Sequence, residues 1–385
     1  MEYKRLGDYI RPVDVRNREL KVKKLVGLTI DKAFIPSVAN IIGTDLSNYK
    51  IIRKEQFACS LMQVSRDEKI PIAMFEEDEA IMSPAYPMFE IVDKTQLLPR
   101  YLMMWFSRKE FDREASFYAV GGVRGSLTWE DFCNMQLPVP SIERQREIVS
   151  EYETLSNRIR LNEQMIANLE ETAQALYRKM FVDSVDKENL PEGWKFATLA
   201  DICEINTDNI SPKNKQKMRY LDSGSVTNNV FDSYQILDPN VDEIPSRAKR
   251  KVRNGDIVYS TVRPNLLHYG IINDKNVDDI VVSTAFAVIR STDINFSNEL
   301  LYLILTDTKN TEALQGIAEM SKATYPSITP DSIMEIKFAL PNFFEAACEE
   351  LNEQLIAINK AAYMHKQENS KLTELQSLLL AKMEK

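Results

Sequence analysis

Arg66, Arg124, Arg263 and Lys322 each stand in a short turn of this 385-residue chain, and the turns come in pairs. Ser60-Leu61-Met62-Gln63-Val64-Ser65-Arg66-Asp67 answers Ser260-Thr261-Val262-Arg263-Pro264-Asn265, each after a run that aligns as the same strand. Gly121-Gly122-Val123-Arg124-Gly125-Ser126 answers Met320-Ser321-Lys322-Ala323-Thr324. Arginine and asparagine carry paired hydrogen-bonding groups that match guanine and adenine edges in a major groove, so such rims are suited to reading bases. Cations also gather in runs. Arg11, Arg16, Arg18, Lys21, Lys23 and Lys24 form one; Lys213, Lys215, Lys217 and Arg219 take the equivalent place in the second half. Arg247, Lys249, Arg250, Lys251 and Arg253 form another, answered weakly by Arg53 and Lys54. Clustered cations among polar residues are what phosphate neutralisation requires. The candidate nucleic-acid contacts are therefore Arg66, Arg124, Arg263, Lys322, Lys213, Lys215, Lys217 and Arg250. For any one of them the plainer reading is a solvated face or a locally paired loop residue. Recurrence in both halves moves the balance modestly toward phosphate.

Other chemistries find little here. Eleven glycines form no phosphate-cradling loop or dinucleotide fingerprint. Two histidines, His268 and His365, cannot supply a triad or a His-rich metal site in each of two halves. Asp238-Pro239-Asn240 is the nearest string to the Asn/Asp-Pro-Pro-aromatic motif of an adenine methyltransferase, and it lacks that motif. Cys59, Cys133, Cys203 and Cys348 are scattered without disulfide or metal spacing, which predicts a reducing, cytoplasmic setting. The first residues lack the apolar core of a signal peptide, and no 18-residue apolar run is present, so no membrane association is expected. A net charge of −9 argues weakly against nucleic acid on its own, but it averages over the segregated cations.

The elements that carry these residues are duplicated. Ser126-Leu127-Thr128 with Pro140 matches Ser327-Ile328-Thr329 with Pro341 at an offset of 201, as do Tyr101 and Tyr302. Ser83-x-Ala85-Tyr86 and Ser283-x-Ala285-Phe286 lie 200 apart, as do Arg53 through Ser60 and Arg253 through Ser260. So long an offset means tandem domains, not a solenoid. Short β-prone runs (51–52, 80–82, 89–92, 256–260, 280–283) and a short helix at 99–113 and 298–307 predict a mixed α/β (α+β) class. Each globular part precedes a long helix, giving expected boundaries of 1–140, 141–182, 183–341 with its polar linker, and 342–385. Ile148, Tyr152, Leu155, Ile159, Asn162, Ile166, Leu169, Ala173, Leu176 and Met180 step by four and three. So do Leu351, Leu355, Ile358, Ala362, His365, Asn369, Leu372, Gln376, Leu379 and Met383. That is the spacing of a coiled-coil seam. Each helix, about 42 residues or roughly 60 Å, is expected to pair antiparallel with the other, with Asn162, His365 and Asn369 fixing the register. Pro140 and Pro341 mark the expected helix starts.

Taken together, these residues resemble the specificity subunits of type I restriction–modification systems. The carrying strings are Leu137-Pro138-Val139-Pro140-Ser141-Ile142-Glu143-Arg144-Gln145-Arg146-Glu147-Ile148-Val149, Leu190-Pro191-Glu192-Gly193-Trp194, Gly255-Asp256-Ile257-Val258 and Val262-Arg263-Pro264. The second helix departs from the pattern, since Pro341-Asn342-Phe343-Phe344-Glu345-Ala346-Ala347-Cys348 lacks the Gln-Arg-x-Ile-Val string. The resemblance implies a non-catalytic protein whose two target-recognition domains each read half of a split, asymmetric double-stranded DNA sequence. It implies that the helices act as spacer and dock two modification subunits, which bind S-adenosylmethionine and methylate adenine. Two restriction subunits can join to give an ATP-dependent nuclease. No cofactor is expected on this chain itself. The competing reading is a coiled-coil adaptor whose two α/β domains bind protein and have no DNA specificity.

Overall fold

The computed structural model describes residues 3–37, 43–62, 64–120, 125–183, 185–186, 189–210, 216–293, 295–321, 324–341 and 346–383. The chain forms two compact units, Met1–Leu161 with Glu368–Lys385, and Asn162–Gln367. Each long helix is thus divided between the units, and each unit joins one globular part to a stretch of helix pair.

In the first unit a four-stranded antiparallel sheet runs Ile10–Pro12, Met88–Ile91, Phe57–Cys59, Ile72–Met74. Its core is aromatic, because alternate residues of these short strands face the helices. Phe57 and Phe89 stack at 5.1 Å, and Phe106 meets both edge-on. Lys50–Arg53 pairs with Glu79–Met82 alongside. The opening strand Tyr3–Arg5 pairs with Gln136–Pro138, which closes the globular part on itself just before the long helix.

The second unit repeats this plan. Cys203–Ile205, Phe286–Ser291, Ile257–Ser260 and Tyr269–Ile271 form the matching sheet, and Trp194–Thr198 pairs with Lys337–Pro341. A further sheet orders Gln235–Leu237, Met218–Leu221, Ile280–Ser283 and Ala248–Lys251, with Met218–Leu221 parallel to Ile280–Ser283. The repeated Ser-[Leu/Ile]-Thr strings are helix starts. Thr128 caps Trp129–Asn134 by accepting from the Asp131 amide (3.0 Å), and Thr329 caps Pro330–Met334 through the Ser332 amide (3.3 Å). Just before each cap, the Leu127 amide donates to Leu61 O and the Ile328 amide to Thr261 O.

Where one short helix is expected in each half, two form. Pro99–Phe106 is followed by Lys109–Ala119, and Asn298–Thr306 by Thr308–Glu319. Asp307 explains the second break: its backbone is extended and its side chain accepts from the Lys309 amide (2.9 Å), so it starts a new helix.

The long helices are Ile142–Phe181 and Ala346–Lys382. Pro140 lies two residues before the first; Pro341 ends a strand, and the described part of the second helix runs from Ala346, with residues 342–345 of the expected start outside the described residues. They pack as an antiparallel coiled coil, and none of the seam residues named above is exposed. In the first unit Ile148, Val149 and Tyr152 share a core with Leu380 and Met383, and Arg158 makes a bidentate bond to Glu368 (2.9 and 3.0 Å). Gln376 donates to Ser156 Oγ (2.7 Å) and Asn369 to Ile159 O (3.4 Å). In the second unit Ala173, Tyr177 and Phe181 pack with Cys348, Leu351 and Leu355, and His365 Nδ1–H donates to Asn162 Oδ1 (3.1 Å). The polar seam positions therefore bond to the facing helix or its backbone, which fixes register at little desolvation cost.

Gln145, in the first-helix motif, is fully buried and holds that helix to its globular part. It accepts from the Leu98 amide (2.9 Å) and donates to Gln96 O (2.8 Å) and Pro140 O (2.9 Å). The second helix lacks this glutamine, and Asn352 does the same work. It accepts from the Ser297 amide (3.0 Å) and donates to Asn295 O (2.6 Å). Ser297 and Leu98 are both the cap residues before matching helices. At the helix offset of 203, Asn352 sits one turn beyond the position equivalent to Gln145.

Candidate nucleic-acid interface

The two strands that precede the paired turns, Phe57–Cys59 and Ile257–Ser260, hold equivalent places in their sheets. After the first, Arg66 lies exposed on the short helix Val64–Asp67, with Nε 2.7 Å from Asp67. After the second, Arg263 is exposed and left-handed (φ 50°) and precedes the turn Pro264–Leu266. It makes no ion pair among the described residues, and its guanidinium lies 5.0 Å over the Tyr325 ring. Arg124, Lys322, Lys213 and Lys215 lie outside the described residues. Gly125 follows Arg124 with φ +70°, and a Cβ there would meet Ser65 Oγ at 2.1 Å, so Gly125 itself lies against the Arg66 helix. Gly125→Ala is expected to cost about 1–3 kcal/mol from backbone strain and this contact. A lower urea midpoint would reveal it; an unchanged midpoint would mean that the Ser65 side chain gives way and the backbone at 125 carries no strain.

Most cations of the other basic runs are paired once folded, Arg18 and Lys23 making no ion pair among the described residues. In the first unit Arg11 pairs with Glu90 (2.7 Å), Arg16 with Asp14 (2.6 Å), Lys21 with Glu19 and Lys24 with Glu77. In the second, Lys217 pairs with Asp238 (3.3 Å) and Arg253 with Asp208 (2.8 Å). Arg219 is half-buried and bound by Asp279 (2.7 Å), Asp274 (2.6 Å) and Asn276 O, and its bond to Asp279 raises its affinity for the proton. It is a structural cation.

The strand Ala248–Lys251 behaves differently. It forms one edge of its sheet, and Arg247, Lys249, Arg250 and Lys251 make no ion pair among the described residues. Arg250 is half-buried, its Nε has no hydrogen-bond partner among the described residues, and burial pulls its pKa below the ordinary arginine value. A desolvated guanidinium that remains charged is stabilised by an incoming anion. Arg247, Lys249 and Lys251 were visible in the sequence as a run but were not separable there from the paired cations. Tyr325, half-exposed beneath Arg263, carried no sequence signal that set it apart from core aromatics.

Other reactive side chains are structural. Burial raises the thiols of Cys59, Cys133 and Cys203, the last pushed up to about 12, so they are poor nucleophiles, and Cys348 is buried too. His268 Nδ1 lies 2.7 Å from Val226 O, which fixes that nitrogen as the donor. No described helix is long and apolar enough to cross a membrane.

The chain matches the model of the family described as the type I restriction modification DNA specificity domain over residues 63–171 and 191–373. It is 33% identical over 149 residues to the type I restriction enzyme HindI specificity subunit of Haemophilus influenzae, a match covering 39% of this chain and 32% of that protein. The chain thus spans about a third of the length of the curated relative it matches. Its fold is shared by the S subunit of the type I restriction-modification system from M. genitalium, with a TM-score of 0.59 at 12% identity over 99% of this chain and 95% of that one.

Proposed function

Because this chain belongs to the type I restriction modification DNA specificity family, we propose that it is the DNA-recognition subunit of a type I restriction–modification complex. Each globular part, 1–140 and the part of 183–341 after the linker, reads one half of a split, asymmetric duplex target. The long helices serve as spacer and dock two methyltransferase subunits. Catalysis belongs to those partners, which bind S-adenosylmethionine, and to ATP-dependent nuclease subunits where these join. The complex works in the cytoplasm.

The observation that carries this reading is the edge strand Ala248–Lys251, whose three cations, with Arg247 just before them, lack anionic partners among the described residues of a chain with net charge −9. Unpaired cations on one strand suit a phosphate backbone, which supplies affinity and register, while turn side chains supply the base code. Arg66, Arg124, Arg263 and Lys322 are the proposed base readers, and Lys213, Lys215, Lys217 and Arg250 the proposed phosphate contacts. The target adenine must leave the stack for methylation, so this subunit's task is to hold the duplex while a partner takes the base.

Sequencing methylated adenines in genomic DNA, with and without the gene, tests the reading. One split motif is expected to vanish on deletion. Within the complex, Lys249→Ala combined with Arg250→Ala is expected to weaken all duplexes alike and flatten the salt dependence. An unchanged methylome would refute the reading and favour the protein-binding adaptor.

A further inference from the structure

Large apolar side chains stand exposed beside the same turn in each unit. In the second unit they are Leu266 (44% exposed), Ile317 (45%), Met320 (83%) and Tyr325 (57%). The turn Pro264–Leu266 packs on helix Thr308–Glu319, where the Asn265 amide donates to Gln315 Oε1 (3.2 Å). The first unit repeats the arrangement: Val64–Asp67 packs on Lys109–Ala119, whose end exposes Phe117 (76%), Tyr118 (46%) and Val120 (74%). Isolated exposed apolar residues need no explanation, but a group that recurs beside the same turn marks an interaction surface.

The second-unit rim is held under strain. Arg263 (φ 50°) and Leu267 (φ 55°) are both left-handed without being glycine, and they bracket Pro264–Leu266. Such conformations cost about 1–3 kcal/mol each and persist where surrounding structure imposes them. Here the Arg263 amide donates to Pro326 O (2.9 Å), and Val262 bridges Ser327, so the turn is tied to the segment that carries Tyr325. Arginine and tyrosine are thereby fixed face to face, with the guanidinium 5.0 Å above the ring.

We propose that Tyr325, backed by Arg263 and flanked by Met320 and Leu266, is a stacking wedge that presses on an opened base step of the duplex half-site held by the second unit. This rests on the DNA-recognition reading and adds how the duplex is deformed there. An aromatic ring offers a nucleobase its π-face whatever the sequence, and bulky apolar tips such as methionine and leucine enter unstacked steps. The guanidinium, without a carboxylate partner among the described residues, has hydrogen-bond donors left for a base edge or phosphate. A purely apolar protein partner would leave that charge unsatisfied.

The test uses the complex with its methyltransferase subunits and a duplex bearing the motif found by methylome sequencing, with 2-aminopurine placed at successive steps of each half-site. Tyr325→Ala is expected to lower affinity about tenfold or more and to abolish the fluorescence rise at one step of one half-site. Tyr325→Phe and Tyr325→Trp should retain both. Because Tyr325 is largely exposed, the urea midpoint of the alanine variant should stay at the wild-type value, which separates loss of contact from loss of fold. If the alanine variant binds the motif and unstacks it as the wild type does, the wedge is wrong. If instead the variant fails to hold the methyltransferase subunits, the rim docks protein and the wedge is again wrong. A wild-type complex that cannot tell the motif from a scrambled duplex overturns the recognition reading itself, and the wedge with it.

Discussion

Arg290→Met is expected to destabilise the second unit by about 3–5 kcal/mol, the cost of removing one partner from a buried ion pair. Arg290 grips both oxygens of Asp256 (2.7 and 2.6 Å) and reaches Glu204 (3.0 Å) and Asp208 (3.4 Å). Asp256 is fully buried, so without the guanidinium its charge faces an apolar sheet beside two other carboxylates. The bond to Asp256 raises the arginine's proton affinity, so the guanidinium stays charged. Asp256 also accepts from the Arg253 amide (2.6 Å), beside a left-handed Gly255 (φ +88°). The Gly255-Asp256-Ile257-Val258 string that suggested the family is therefore a turn and an ion-pair anchor for the strand Ile257–Ser260. Urea unfolding followed by tryptophan fluorescence and far-UV dichroism reads the loss. Asp256→Leu combined with Arg290→Met should recover much of it, because an apolar pair carries no stranded charge. If the single substitution leaves the midpoint in place, water or another cation must reach Asp256.

Gln145→Leu should cost about 2–4 kcal/mol, since it strands the buried Leu98 amide and takes a donor from Gln96 O and Pro140 O; each unsatisfied buried group costs about 1–3 kcal/mol. The side-chain volume is nearly kept, so the loss reports hydrogen bonds and not a cavity. Asn352→Leu should do the same in the second unit through the Ser297 amide and Asn295 O, but more weakly, because Asn352 is only half-buried. Hydrogen exchange locates the effect: protection should fall at 96–98 in one variant and at 295–297 in the other. Equal protection in variant and wild type would show that helix packing alone secures these junctions.

These two junctions also mark how far the chain's one-dimensional pattern reaches. Gln145 belongs to a recognisable string, whereas Asn352 follows Pro341-Asn342-Phe343-Phe344, where the string is missing. Residue-by-residue comparison therefore registers a departure. The fold finds an equivalent bond because a helix brings a side chain back to the same face one turn later.

The duplication, the α/β (α+β) class and the two seam helices were all legible in the linear order of residues. They depend on local regularities: fixed offsets, a four–three apolar step, and threonines that cap helices by accepting from the amide three residues on. Seam positions from Ile148 to Met180 and from Leu351 to Met383 are buried or half-buried because helical geometry by itself aligns them. The charges could not be sorted that way. Arg11 finds Glu90, Lys24 finds Glu77, and Arg219 finds Asp274 and Asp279 across sequence gaps that carry no periodicity. Arg247, Lys249, Arg250 and Lys251 look no different in the sequence, yet they fold onto a sheet edge where no described carboxylate pairs with them. Composition and spacing determined that cations would cluster; tertiary structure alone decided which remain unpaired, because neutralisation of a charge depends on distances that only the folded backbone sets.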